Sequence, residues 1–239
     1  VITAHYNTEN GGLLAKIKNY LLYRKAMNLA CASVQMKNPQ IVHIHVPLRT
    51  LILGWFWAKK MGAKTVLTEH WTGYESGDFE KKPGFQKWLI QHYLKKMHAI
   101  HVVSKALKRS MVSKGLGSEK QFKVIGNVVE KKAQAKRQKA PGENFKIVTI
   151  ADLSDKVKNI SGTFEALEEL FAERKDFQFH LIGDGPDKDA LLQKAAKTSF
   201  FEDHFVYHGR LTNDEVLSFL AEADVLLINS HFETFSVVC

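Results

Sequence analysis

Apolar positions along this chain switch between two periods. Leu14, Ile17, Leu21, Leu22, Ala26 and Leu29 recur at helical spacing, which predicts an amphipathic helix over residues 14–34. Residues 1–5 ahead of it read as a strand. Ile41, Val42 and Ile44, interleaved with His43 and His45, predict a strand over 41–45. A helix near 51–61, a strand over 65–68, a polar loop, a helix over about 85–96 and a strand over 100–103 follow. Later the alternation restarts, with strands over 146–150, 178–182, 205–207 and 225–228 separated by helices over 163–173, 189–197 and 214–222. Short apolar strands alternating with helices predict an α/β class: two parallel sheets, each wound on both faces.

Between the two series the pattern stops. Residues 130–143 hold Lys131, Lys132, Lys136, Arg137, Lys139, Pro141 and Gly142 and almost no large apolar side chain, so 131–143 is expected to be a linker. The expected domains are 1–130 and 144–239. Charge separates them as well. The net +9 of the chain divides into +18 over residues 1–140 and −9 over 141–239. A basic domain joined to an acidic one suggests that only the first meets an anionic partner, with membrane surface, lipid-linked phosphate and nucleic acid as candidates. No nucleic-acid recognition motif with interleaved aromatics is present, so nucleic acid is not expected.

Composition adds little more. With 45% hydrophobic residues the chain is expected to be globular. Its longest apolar run, near 51–58, falls far short of the roughly 20 residues that a spanning helix needs. Cys31 and Cys239 lack metal or disulfide spacing and fit a reducing compartment, so a cytoplasmic location is expected.

Several segments bear chemistry. Gly183-Asp184-Gly185-Pro186 joins a predicted strand to a predicted helix, where glycines either make a tight turn or let backbone N–H groups approach a ligand. Glu233, in Ser230-His231-Phe232-Glu233-Thr234-Phe235-Ser236, lies beyond the apolar run 225–228, at a strand's carboxyl end, where open α/β sheets place ligand chemistry. Lys158, with Lys156 as a rival, lies between a strand and a helix. His70 follows the strand 65–68. His43 and His45 share a strand face, yet no further ligand has suitable spacing, so no metal site is expected. Asn10-Gly11-Gly12 reads as a turn before the long helix.

In their order these segments resemble the family 4 retaining glycosyltransferases, which have the two-domain GT-B fold. The residues 230–236 are similar to that family's S-x-x-E-x-F-G loop, Gly183 to Pro186 to its G-x-G-P turn, and Thr68-Glu69-His70 to its T-x-H turn. Pro39 to His45 resembles its P-D-x-V-H-x-H segment, and Val102 to Ser104 and Val124 to Val129 resemble its V-S and I-P-N-G-V-D segments. The resemblance covers 39–239 and implies two Rossmann-like domains, both incomplete, in a chain truncated at both ends. The family's second glutamate would fall at position 241.

What the resemblance implies about function is specific. A sugar would pass with retention from a nucleotide-diphosphate donor to a hydroxyl acceptor, in polysaccharide or glycolipid assembly. Glu233 would contact the transferred sugar, and the backbone of Thr234, Phe235 and Ser236 would open toward sugar and diphosphate. Lys158 would neutralise the leaving diphosphate, Gly183 and Gly185 would flank the nucleotide, His70 would be catalytic with Glu233, in the interdomain cleft near donor sugar and acceptor, and His45 would line that cleft on the substrate side. No metal or other cofactor is implied. A lipid-linked acceptor would explain the basic half, and peripheral contact with the inner membrane face follows from it. Asp152 stands where the family has arginine and Asn159 where it has glycine, which puts diphosphate binding in question. The competing expectation is a module that binds a nucleotide-sugar or nucleic acid without turnover.

Overall fold

A computed structural model describes residues 8, 11–33, 39–47, 49–128, 140 and 142–236. The expected strand 1–5 and most of the expected linker lie outside them. The chain divides into two compact units, one of Val1–Trp71 with Glu80–Ile125, the other of Thr72–Phe79 with Gly126–Cys239.

The first unit opens with helix α1 (Leu13–Ser33), then β1 (Ile41–His45), α2 (Arg49–Met61), β2 (Lys64–Glu69), α3 (Gly84–Leu94), β3 (Ala99–Val102), α4 (Lys105–Ser113) and β4 (Phe122–Val124). All four strands pair in parallel in the order β1-β2-β3-β4. Alternation decides what each strand buries: Ile44, Leu67, Ile100 and Val102 reach the core, where Leu51, Leu94, Leu107 and Met111 of the helices meet them. Ser104 caps α4 by accepting a hydrogen bond from the Leu107 N–H at 3.1 Å.

Helix α1 departs from expectation in its burial, not in its existence. Among the described residues its stripe faces solvent, with Leu14 82%, Leu29 63%, Leu21 54% and Ile17 49% exposed, and only Ala26 is buried. A periodic stripe predicts a helix, but only a packing partner buries it. No helix of the described residues is long and apolar enough to cross a membrane.

The second unit contains β5 (Phe145–Ile150), α5 (Asp155–Lys158), α6 (Ile160–Glu173), β6 (Phe177–Ile182), α7 (Lys188–Ala195), α8 (Phe201–His204), β7 (Phe205–Gly209), α9 (Asn213–Glu222) and β8 (Val225–Leu226). Its strands are parallel in the order β7-β6-β5-β8. Phe164, Phe177, Phe179 and Phe200 are almost fully buried, with Leu153, Leu167, Leu181 and Leu191 around them. At about 1.5–3 kcal/mol for each such side chain, this cluster is what fixes the helices on the sheet. Thr212 and Glu215 form a capping box that starts α9. Under that helix, His180 and His208 share a hydrogen bond of 2.9 Å against Phe219. Burial, then His208 and Lys146, push the His180 imidazole down to about 4, so it is neutral near pH 7.

Candidate functional site

Strand order marks out a candidate site in the second unit. Strands β5, β6 and β7 run outward in sequence, then the chain returns to place β8 on the other side of β5. Such a reversal opens a crevice at the carboxyl ends of the two strands that flank it. A pocket of about 270 Å³ lies there, lined by Thr149 to Asp152 at the end of β5, by Leu227 to Ser230 after β8, and by Lys158, Ile160, Glu233, Phe235 and Ser236. The two walls are tied together: the Leu227 N–H donates to the Val148 carbonyl at 2.8 Å and the Thr149 hydroxyl donates to the Leu227 carbonyl at 2.9 Å.

Lys158 and Glu233, 75 positions apart, meet in this pocket. The Lys158 ammonium donates to the Glu233 carboxylate at 2.7 Å, with the side chains 21% and 29% exposed. Their approach is built by the backbone, since the N–H groups of His231 and Phe232 both donate to the Val157 carbonyl, at 2.9 and 3.3 Å. Helix α5 ends at Lys158 because Asn159 turns left-handed, at φ +50° and ψ +45°, and then starts α6. Asparagine is the side chain that tolerates this conformation best after glycine, so its presence in place of glycine preserves the turn. Asp155 braces the junction by accepting from the Ser161 N–H at 2.7 Å and the Ser161 hydroxyl. The rival Lys156 points elsewhere, to Asp78 at 2.5 Å. Thr234 is buried beside the pocket, and Asp152 lines it as an exposed carboxylate.

Gly183 and Gly185 do not line that pocket; they support its wall from behind. Gly183 has φ +145°, and a Cβ there would stand 1.8 Å from the Ala151 carbonyl oxygen. A Cβ on Gly185 would stand 2.6 Å from the Leu153 nitrogen. The turn after β6 therefore packs backbone against the turn after β5, fastened by Ala151 N–H to Ile182 O and Leu153 N–H to Asp184 O, both 3.0 Å. Only glycine permits that approach.

The first unit brings its own group together at the carboxyl ends of β1, β2 and β3. His45 is in register with Thr68, and Thr68 with His101. The Thr68 hydroxyl lies 2.7 Å from His43 Nε2 and 3.0 Å from His101 Nδ1, while His101 Nε2 lies 2.7 Å from the Ile125 carbonyl. A carbonyl only accepts, so a neutral His101 carries its proton on Nε2. Thr68 then donates to His101 Nδ1 and accepts from His43 Nε2–H. Burial first, then neighbouring imidazoles, lowers both His43 and His70, which are neutral at physiological pH. Glu69 is fully buried and accepts from the N–H groups of His70 and Trp71, at 2.8 and 2.9 Å, fixing the turn that carries His70. Among the described residues, no three His, Cys, Asp or Glu are arranged to hold a metal ion. His101 escaped the sequence reading and Thr68 entered it only as part of the turn that carries His70; strand register is what brings the two together.

Comparison with known proteins gives a concordant picture. A family model described as Glycosyltransferase Family 4 matches residues 7–132, and one described as Glycosyl transferases group 1 matches residues 130–239. A 2-deoxystreptamine glucosyltransferase of Streptomyces kanamyceticus is 38% identical over 69 residues, 29% of this chain and 18% of that protein. Among solved structures, the apo form of the lipopolysaccharide outer core galactosyltransferase WaaB superposes with a TM-score of 0.60 at 17% identity, over 93% of this chain and 57% of its own. The pneumococcal O-GlcNAc transferase GtfA, in complex with UDP and GlcNAc, gives 0.61 at 15% identity, over 90% and 42%. At such identities the structures establish the fold, which is GT-B. This chain spans less than two thirds of the length of each of these relatives.

Proposed function

Because this chain belongs to glycosyltransferase family 4, we propose that it moves a sugar, with retention, from a nucleotide-diphosphate donor to a hydroxyl acceptor in polysaccharide or glycolipid assembly. One observation carries the reading: Lys158 and Glu233 form an ion pair inside a pocket at the point where the strand order reverses. A cation and a carboxylate side by side suit a ligand that is anionic at one end and hydroxyl-rich at the other.

In this reading the bond between the anomeric carbon and the diphosphate oxygen breaks, and the acceptor oxygen bonds to that carbon on the same face. The acceptor's proton ends on the departing diphosphate. Lys158 stabilises the charge that develops on the leaving group, the task for which a fixed cation in a confined site is most effective. Glu233 accepts from hydroxyls of the transferred sugar, and the backbone of Thr234, Phe235 and Ser236 faces sugar and diphosphate. His70 and His45 belong to the acceptor side. No metal or other cofactor is required, since Lys158 and backbone N–H groups take the charge. Asp152, where the resemblance leads to an expected arginine, opposes diphosphate binding.

The test is a panel of UDP-, GDP- and ADP-sugars, scored by thermal shift, followed by proton NMR of the product. At least one donor is expected to stabilise the protein, by about 2.7 kcal/mol at a hundredfold excess over Kd. The product's anomeric configuration is expected to match the donor's. An inverted product would contradict retention, and a panel without stabilisation would contradict the donor site.

A further inference from the structure

Gly126 has no side chain because the ring of another residue occupies its place. The second unit resumes at this position, directly after Ile125, whose N–H donates to the Val102 carbonyl at 3.1 Å. Gly126 is exposed, and its φ lies outside the positive range that favours glycine, so no left-handed turn requires it. Space does. A Cβ on Gly126 would stand 2.9 Å from Cε2 of Phe235, 3.3 Å from its Cζ and 3.9 Å from its Cδ2. Carbon atoms in ordinary contact are about 3.5–4.0 Å apart. One edge of the Phe235 ring therefore rests on the bare backbone of Gly126.

Phe235 also lines the pocket between β5 and β8, beside Glu233 and Ser236. The loop that carries all three is pinned at its start, where the His231 and Phe232 N–H groups donate to the Val157 carbonyl at 2.9 and 3.3 Å, and again at buried Thr234. The ring on Gly126 anchors the loop on the other side of Glu233.

We propose that Gly126 is a positioning residue of the donor site: the gap left by its missing side chain seats the Phe235 ring, and the seated ring fixes the loop that presents Glu233 and the backbone of residues 234–236 to the donor. This rests on the donor-site reading above. What a Cβ would meet here is the far end of a side chain, whereas at Gly183 it would meet the Ala151 backbone. A methyl group at 126 is therefore accommodated by moving the ring, by about 0.6 Å or more to reach ordinary contact. Its effect falls on the pocket and not on the fold. Leucine has no atoms at the Cε2 and Cζ positions, so Phe235→Leu removes both close contacts and makes the methyl group harmless.

Calorimetric titration of wild type, Gly126→Ala, Phe235→Leu and the double variant with the sugar nucleotide that stabilises wild type best tests this. Gly126→Ala is expected to bind about 5-fold or more weakly than wild type. Added to Phe235→Leu, the same change is expected to alter affinity by less than about twofold, a coupling within the range that residues in contact show. Affinity equal to or above wild type in Gly126→Ala would overturn the inference and leave the donor site standing. Equal losses in both backgrounds would also overturn it, because Gly126 would then act through something other than the ring. If wild type binds no sugar nucleotide, the donor site falls and this inference with it.

Two readouts need no donor. Gly126→Ala is expected to melt within about 2 °C of wild type; a clearly lower melting point would mark Gly126 as structural and overturn the inference. In NMR of the free wild-type protein, nuclear Overhauser contacts are expected between the Gly126 α protons and the Phe235 ring protons. Their absence would overturn the seating of the ring whether or not a donor binds.

Discussion

Lys158→Ala and Glu233→Gln are each expected to lower kcat by roughly 10²- to 10³-fold, the usual loss when one group aimed at transition-state charge is removed. Glycosidic bond cleavage leaves charge on the diphosphate before the acceptor bond is complete, and Lys158 is the pocket's fixed cation. Glu233 holds that cation at 2.7 Å and contacts the sugar in this account. Because the two act as a unit, the double variant is expected to lose far less than the product of the single losses. Folding is a separate matter. Side chains 21% and 29% exposed form a partly screened pair, worth about 1 kcal/mol or less, so the melting temperature is expected to move by only a few degrees. Steady-state kinetics on the three variants checks this. Wild-type turnover in both single variants would remove Lys158 and Glu233 from the chemistry.

Gly183→Ala is expected to cost the second unit about 4 kcal/mol or more. Its Cβ would stand 1.8 Å from the Ala151 carbonyl oxygen, and a backbone atom cannot swing aside as a side chain can. Relief requires separating the turns after β5 and β6. That separation would strain the Ala151 N–H to Ile182 O bond, the Gly183 N–H to Gly209 O bond and the bond from the Tyr207 hydroxyl to the Gly183 carbonyl. Gly209 is the control, with φ +69° but nothing within 4 Å of a Cβ. Gly209→Ala bears only the left-handed penalty of about 1–2 kcal/mol. Urea unfolding of both variants separates the two effects. Equal losses would mean that conformation alone, and not the contact with Ala151, makes Gly183 necessary.

The alternation of strands and helices was legible because each period sets which side chains face the core. That Lys158 and Glu233 both follow strands was legible, and the structure brings the two side chains together where the strand order reverses. Partnership was not legible. The stripe of α1 has the spacing of a buried face, yet Leu14 and Leu29 are exposed. His101 looked like one imidazole among many until register aligned it with Thr68. The glycines of the Gly183 turn were read as either a tight turn or room for backbone N–H groups to approach a ligand, and the structure adds that a Cβ on them would meet the backbone of Ala151 or Leu153. Asn159 stands where glycine was expected and adopts a left-handed conformation that glycine readily takes.

The most direct measurement is methyl NMR of the protein titrated with the sugar nucleotide that stabilises it best. Methyl groups of Ile150, Ile160, Leu227 and Ile228, which line the pocket between β5 and β8, are expected to shift in proportion to occupancy, while Leu191, buried on α7, stays still. Saturable donor binding with these four methyls unmoved would place the activated sugar elsewhere and contradict the account.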